Sequence, residues 1–302
     1  MTAIGDASAL DDVSTASARV RPWRWVVGTV LAVVTAQIVW FLVSNSRFEW
    51  DVVARYLFAP SVLSGLMTTV LLAVAAMMIA SVVGALLAAA QVGDFAPLRW
   101  AARIYVGVFR GIPPLVQLIF WFNLAYLLPR ITIGIPFGPD FVSWNTNQVI
   151  TPITAAIIGL SLVESAYMAE IIRAGVLGVD SGQRDAAKAM GLTPGQTFVR
   201  VVLPQAMRVI IPPSGSQFIT VLKGTSLVSV IAMTDLLHSV QVIYNRTYQI
   251  VPLLIVACVW YLAVVTLLTM GQRWLERHFS RGYTFSSNGQ RRGGTTEDGA
   301  AV

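Results

Sequence analysis

The chain has 302 residues, of which 56% are hydrophobic and 12% charged, and its formal net charge is +6. Soluble domains carry roughly 25% charged residues, so this composition excludes a soluble globular fold. The positive balance alone does not indicate nucleic acid, because its distribution along the chain decides what it means.

Residues 1–20, rich in Ala, Ser, Thr and Asp, hold too little apolar surface to fold, and are read as a flexible tail. The first apolar run, Trp25–Val43, exceeds the roughly 7–15 residues of a signal-peptide core, and no small-residue cleavage pattern follows it. It is expected to stay as an anchor. Five further runs follow, Val62–Val92, Ile104–Leu128, Ile150–Ile172, Val209–Met233 and Val251–Met270. About 20 apolar residues cross a bilayer core of roughly 30 Å, so about six transmembrane helices are predicted in an all-α integral membrane protein. The second run is long enough to tilt or protrude. The connections "SNSRFEWDVVARYLFAP" and "PRITIGIPFGPDFVSWNTNQ" carry prolines and glycines and read as irregular loops or short surface helices. A second polar tail occupies residues 284–302.

Basic residues sort by loop. Arg19, Arg21 and Arg24 precede the first run, and Arg99, Arg103 and Arg110 lie around the second connection. Arg173, Arg184, Lys188, Arg200 and Arg208 fill the fourth, and Arg273, Arg277, Arg281, Arg291 and Arg292 follow the last run. The alternate loops hold only Arg47, Arg55, Arg130 and Arg246. Cytoplasmic loops carry the excess of Lys and Arg, which puts both termini in the cytoplasm and makes the charge an orientation signal. Trp23, Trp25, Trp50, Trp100, Trp144 and Trp274 fall near span ends, as headgroup anchors do, whereas Trp121 and Trp260 read as packing residues. The single cysteine, Cys258, excludes an internal disulfide and a cysteine metal site, and reads as a small core residue. His238 and His278 stand forty residues apart, one in an outward loop and one in the tail, and suggest no metal or catalytic pair.

One polar segment interrupts the apolar pattern, "DAAKAMGLTPGQTFVRVVLPQA" from Asp185 to Ala206. Asp180 with Gln183 three residues on is a helix-start signal, and Gly191 is placed to end that helix, giving a helix from about Gly182 to Met190. Thr193, Pro194 and Gln196 repeat the start signal, and Pro204 is expected to limit the second helix. Ala186, Ala187 and Met190 are expected on one side as a close-approach face. An ordinary interfacial helix lying on lipid would share the same periodicity.

The spacing resembles a known family. The cytoplasmic loop of ATP-binding-cassette (ABC) importer permeases carries Glu-Ala-Ala, three residues, Gly, nine residues and Ile-x-Leu-Pro. Here Asp185, Ala186, Ala187, Gly191, Val201, Leu203 and Pro204 fall at those spacings, with Asp for Glu and Val for Ile. The flanks "FRGIPPLVQLIFW", "AYMAEIIRAGV", "VLPQAMRVIIPPSG" and "LKGTSLVSVI" resemble the polar amino acid (histidine/glutamine-type) uptake family over about residues 60–275. The first span lies outside that family's five-helix core, and Gly224 stands where an Asp often follows the lysine.

The resemblance implies a type I ABC importer permease fold whose loop is the coupling helix, inserted into a cleft on a cytoplasmic ATPase subunit. Nucleotide-driven closure would then rock the spans and alternate access. It further implies a second permease copy, identical or related, an extracytoplasmic substrate-binding protein, an amino acid substrate, surrounding lipid and a bacterial plasma membrane location, with no nucleic acid. The implied division is 1–20 tail, 21–60 extra helix and outward loop, 61–275 permease domain and 276–302 tail. No phosphate-cradling G-x-x-x-x-G-K-[ST] loop occurs in the chain; no cofactor or metal is expected on it, and ATP-Mg is expected on the partner. A membrane enzyme would need a nucleophile with its base, or a metal cluster, in the spans, and none is visible; a channel or receptor-like protein would work without the docking loop.

Charges inside spans cost about 2.5–3.5 kcal/mol each at a helix centre and face a partner or a water path. Glu170 and Arg173, three apart, read as a local ion pair. Glu164 and Lys223 lie deeper, at depths differing by roughly 7 Å at 1.5 Å per residue, and read either as an internal salt bridge or as contacts to substrate or gate. Gln117, Tyr167, Ser226 and Ser229 are candidate hydrogen-bonding neighbours. Pro113–Pro114 and Pro212–Pro213 read as span entries, or as gate hinges.

Overall fold

A computed structural model describes residues 22–135 and 140–279. The chain divides into two compact units, Met1–Trp50 and Asp51–Val302. In the first, helix α1 (Pro22–Ser44) has its described side chains exposed throughout, and none of its span is buried within the chain. A helix apolar on every side suits lipid rather than a water-facing surface. Its end is stapled locally. A 3₁₀ turn, Ser46–Phe48, follows α1, the Trp50 indole N–H donates to the Leu42 carbonyl at 2.8 Å, and Phe48 stacks on Trp50 with centroids 5.7 Å apart.

The second unit is built on helix α3 (Pro60–Val92) crossing helix α8 (Pro152–Leu177). Along α3, Ala73, Ala76, Ala80, Gly84 and Ala88 recur every three or four residues and are all buried; Ala155, Ala156, Gly159, Ala166 and Ala169 answer from α8. Lipid supplies no hydrophobic drive between helices, so small residues that let backbones close up provide the packing. Gly84 marks the tightest approach, since a Cβ there would lie 2.7 Å from Met168 Cβ and 3.0 Å from both the Ala169 nitrogen and the Ser165 carbonyl oxygen.

Around this pair the remaining elements are helix α2 (Trp50–Leu57), α4 (Ala96–Gly111), α5 (Pro114–Phe122), the short α6 (Leu124–Leu127), strands β1 (Arg130–Gly134) and β2 (Asp140–Asn145), α7 (Thr146–Val149), α9 (Ser181–Ala189), α10 (Pro194–Thr197), α11 (Leu203–Gly224), α12 (Leu236–Thr247) and α13 (Ile250–Phe279). One apolar cluster joins Leu72, Leu118, Leu160 and Leu222 from α3, α5, α8 and α11; another joins Val53, Val62, Leu236, Val240, Leu253 and Val256 from α2, α3, α12 and α13. Trp260 bridges α13 to α2, its indole donating to Leu57 O at 2.7 Å.

Among the described residues four single helices are long and apolar enough to cross a membrane, and two bent pairs bring the number to six if each pair is one span. The predicted third span is one of these pairs: α4 and α5 meet at 101° where Pro113 and Pro114 remove two consecutive donors. The fifth is the other, running from Pro194 to Ile231 and bending by 42° into α12, a helix absent from the sequence reading. Three further expectations are corrected. Pro212 and Pro213 lie inside α11 rather than at its entry. The connection before α8 contains an antiparallel β1–β2 pair instead of an irregular loop. Cys258 is exposed on α13, not packed in the core.

Candidate coupling loop and transport pathway

The polar segment folds as its local signals dictate. Asp180 caps α9, its Oδ1 accepting from the Gly182 N–H at 2.7 Å, and Arg184 ties the helix back by donating to Val176 O at 2.6 Å. At the other end Gly191 adopts φ 76°. The Gly191 N–H donates to Lys188 O at 2.9 Å and the Leu192 N–H to Ala187 O at 3.1 Å, the paired bonds of a Schellman stop. Thr193 and Gln196 then form a complete capping box at α10, with Pro194 in the first turn.

Pro204 does not end this second helix. A π turn at Phe198–Val202 carries the chain from α10 into α11, with the Leu203 N–H bonded to Phe198 O, so the proline starts the long helix instead. The extra residue shifts the hydrogen-bond register just before the missing donor. Val202 is buried with Val179, Ala206 and Ile210, which fastens the loop to the C-terminal end of α8; Val201 and Leu203 are half-buried and Pro204 is exposed.

The expected close-approach face is divided. Ala187 is buried against the protein's own chain, whereas Asp185, Ala186 and Met190 are exposed, Met190 by 75%. Asp185 and Lys188 approach to 3.9 Å with both side chains largely in solvent, a pair of little energetic weight. The surface offered outward is therefore Ala186, Met190 and their polar neighbours, with Ala187 setting how that surface sits.

Deeper in the bundle, Glu164 of α8 is buried and its Oε2 accepts from Gln217 Nε2 of α11 at 2.6 Å. Among the described residues no Lys or Arg pairs with it. Lys223 is exposed, because six residues along α11 turn it about 240° from Gln217 at 3.6 residues per turn. Ser226 and Ser229 spend their hydroxyls on Lys223 O and Ser226 O, both at 2.8 Å. Tyr167 lies under Arg110, whose guanidinium carbon is 5.2 Å from the ring centroid. Glu170 and Arg173 form the anticipated pair at 2.8 Å.

Gln117 has a structural task. Its Nε2 donates to Phe109 O at 3.0 Å and to Ile112 O at 2.8 Å. The donor that Phe109 O would receive in a continuous helix belongs to residue 113, a proline, so the glutamine side chain replaces the missing N–H at the kink. A cavity of about 740 Å³ between α3, α8 and the start of α11 is walled mostly by apolar residues such as Ala88, Met168, Ile172, Phe198 and Ile210, with Ser81, Arg173 and Ser214 also lining it. So apolar a lining does not suit a zwitterion, and Glu164 and Gln217 are not part of it.

Residues 80–281 match the family described as binding-protein-dependent transport system inner membrane component. The chain belongs to that family. It is a permease subunit of an ABC importer, located in a membrane, with the type I importer permease fold. The permease is 38% identical over 268 residues to the arginine transport system permease protein ArgU of Corynebacterium glutamicum, covering 87% of this chain and 82% of that one. It is 34% identical to the L-cystine transport system permease protein TcyB of Bacillus subtilis, covering 80% and 95% of the two chains. The crystal structure of an amino acid ABC transporter with histidines matches at a TM-score of 0.62 and 32% identity, over 73% of this chain and 95% of that one.

Two residues of the permease site were missed from sequence. Gln217 is one; its signal was the polar row at three-residue spacing that it forms with Ser214 and Thr220 on α11. Asp235 is the other. It is fully buried and caps α12, accepting from His238 N–H at 2.8 Å, Leu237 N–H at 3.2 Å and the Tyr261 hydroxyl at 3.3 Å. The Leu236 N–H reaches Thr69 Oγ1 of α3 at 3.0 Å. This knot fixes the bend between the two halves of the broken span.

Proposed function

We propose that the permease imports a polar amino acid, with a cationic side chain favoured, by alternating access driven by ATP hydrolysis on partner subunits. A cytoplasmic ATPase docks at Ser181–Pro204 of each permease copy and holds the ATP-Mg; the permease itself performs no chemistry. An extracytoplasmic binding protein delivers the substrate, and a second permease copy, identical or related, completes the pathway in a bacterial plasma membrane with both termini cytoplasmic.

The observation that carries the substrate class is Glu164, a buried carboxylate joined across α8 and α11 to a neutral amide, with no Lys or Arg paired to it among the described residues. A charge so placed faces a partner or an aqueous path, and an arriving ammonium or guanidinium supplies the missing charge. The similarity to an arginine permease supports the same class. Lys223 is the candidate for the substrate carboxylate, with Tyr167, Ser226 and Ser229 at the edges of the path, and Gln117 acting through the kink.

The test is ATP-driven uptake in proteoliposomes with the ATPase and binding protein present, comparing arginine, glutamine and glutamate. A hydrogen bond to a charged group contributes about 1.5–3 kcal/mol, so Glu164→Gln lowers arginine uptake roughly 10- to 100-fold while the ATPase still co-purifies. Arginine uptake unchanged in that variant removes Glu164 from the substrate path.

A further inference from the structure

Along its paired residues the hairpin between α6 and α7 separates by chemistry, with Phe141, 65% exposed, left unpaired at the bulge. Cross-strand partners in an antiparallel pair point to the same face, and successive residues alternate. The pairs Ile131 with Trp144 and Ile133 with Val142 therefore make one face, and Arg130 with Asn145 and Thr132 with Ser143 make the other. The first face is apolar, and among the described residues it is largely uncovered: Ile133 is 59% exposed, Val142 45% and Trp144 44%, with Ile131 half-buried. A two-stranded hairpin on its own is marginal in water and needs its apolar face packed.

Its base is held firmly at the span ends. Thr146 is fully buried, its N–H donates to Pro129 O at 3.1 Å, and its hydroxyl donates to Leu128 O. Exposed apolar residues continue from both strands into the neighbouring helices, Leu127 and Leu128 on one side, Val149 and Ile153 on the other. The apolar residues of the two strands thus run on along the chain into exposed apolar residues at the adjoining span ends.

We propose that this hairpin lies in the bilayer interface, with Ile131, Ile133, Val142 and Trp144 seated at the boundary of headgroups and acyl chains and Arg130, Thr132, Ser143 and Asn145 turned to water. Amphipathic elements of this kind bury their apolar face about 5–10 Å into that boundary, and tryptophan concentrates there. A soluble binding protein fits the face less well: it leaves between transport cycles, so three aliphatic side chains and an indole would return to water each time, whereas the bilayer is always adjacent. The hairpin in this role anchors the wide turn between the bent α4–α5 pair and α8 at a fixed depth.

The experiment uses the full permease–ATPase complex in nanodiscs, with Cys258→Ser and single cysteines at Ile133, Val142, Thr132 or Ser143 carrying a nitroxide label. Collision with oxygen, which concentrates in lipid, is compared with collision with a water-soluble nickel chelate. The expected result is a several-fold higher oxygen-to-nickel ratio at positions 133 and 142 than at 132 and 143, unchanged when the binding protein is added. Uptake by each labelled variant shows that the complex is intact. Equal nickel access at all four positions overturns the proposal. Protection of 133 and 142 that appears only with the binding protein overturns it in favour of a docking face for that protein, and dipolar coupling between labels at 142 overturns it in favour of a second permease copy.

Discussion

Gly191 stops α9 by adopting φ 76°, and no atom other than its chain neighbours lies within 4 Å of where its Cβ would be. A substitution there meets no steric obstacle in the permease, so its whole effect is backbone strain. The left-handed conformation costs an ordinary L-residue roughly 1–2 kcal/mol, and asparagine distinctly less. The two Schellman bonds at 2.9 and 3.1 Å depend on that conformation, so Gly191→Ala reduces the population of the stopped turn by about 5- to 30-fold relative to its alternatives. Gly191→Asn retains most of it, and Gly191→Val loses more because a β-branched side chain is disfavoured further. The assay is ATP-driven uptake per ATP hydrolysed in proteoliposomes, with hydrogen exchange of the Leu192 amide as the local readout. The expected order of coupling is glycine, asparagine, alanine, valine. An order that follows side-chain size, with asparagine worse than alanine, refutes the strain argument and points to crowding against the ATPase. Wild-type coupling in all three variants refutes any role for the turn.

Gly84→Ala forces the α3–α8 crossing apart, because its Cβ would contact backbone atoms at 3.0 Å; overpacking of this kind destabilises by about 1–3 kcal/mol, read as a lower thermal midpoint in detergent, whereas Gly28→Ala on lipid-facing α1, where nothing lies within 4 Å, leaves the midpoint unchanged. Gln117→Leu removes the donor that replaces the Pro113 N–H and leaves Phe109 O short of a partner, destabilising by roughly 1–3 kcal/mol; Gln117→Glu, which cannot donate when ionised, behaves the same way, and a midpoint equal to wild type in both would refute the capping role.

What the sequence reveals and what it hides follow from the range of each interaction. The polar loop was readable at Asp180, Gly191, Thr193 and Gln196 because caps and helix stops act over three or four residues. Pro204 and Pro212–Pro213 were misread for the same reason: a proline signals a missing donor, but whether the chain answers with a stop, a π turn or a tolerated kink depends on tertiary packing. The six apolar runs correspond to four single helices and two bent pairs, since length and hydropathy mark such segments, but they did not reveal the 101° break in the third. Depth arithmetic put Glu164 and Lys223 roughly 7 Å apart in depth; it carried no information about facing, and α11 turns Gln217 rather than Lys223 toward α8. Asp235 stayed hidden because an acid at a break in a span is stabilised by a helix N-terminus and a distant tyrosine. The hairpin's alternation at Ile131, Ile133, Val142 and Trp144 was present in the sequence, but the surrounding Gly and Pro masked it.

The docking of an ATPase on the Ser181–Pro204 loop is tested most directly by site-specific photocrosslinking in the assembled complex. A crosslinker placed at Met190, 75% exposed on the loop, should capture the ATPase subunit, while one at Tyr126, 92% exposed at the far end of α5 and α6, should not. Capture of the ATPase from position 126, or from neither position in a complex that transports, contradicts the assignment of this loop and with it the orientation of the permease.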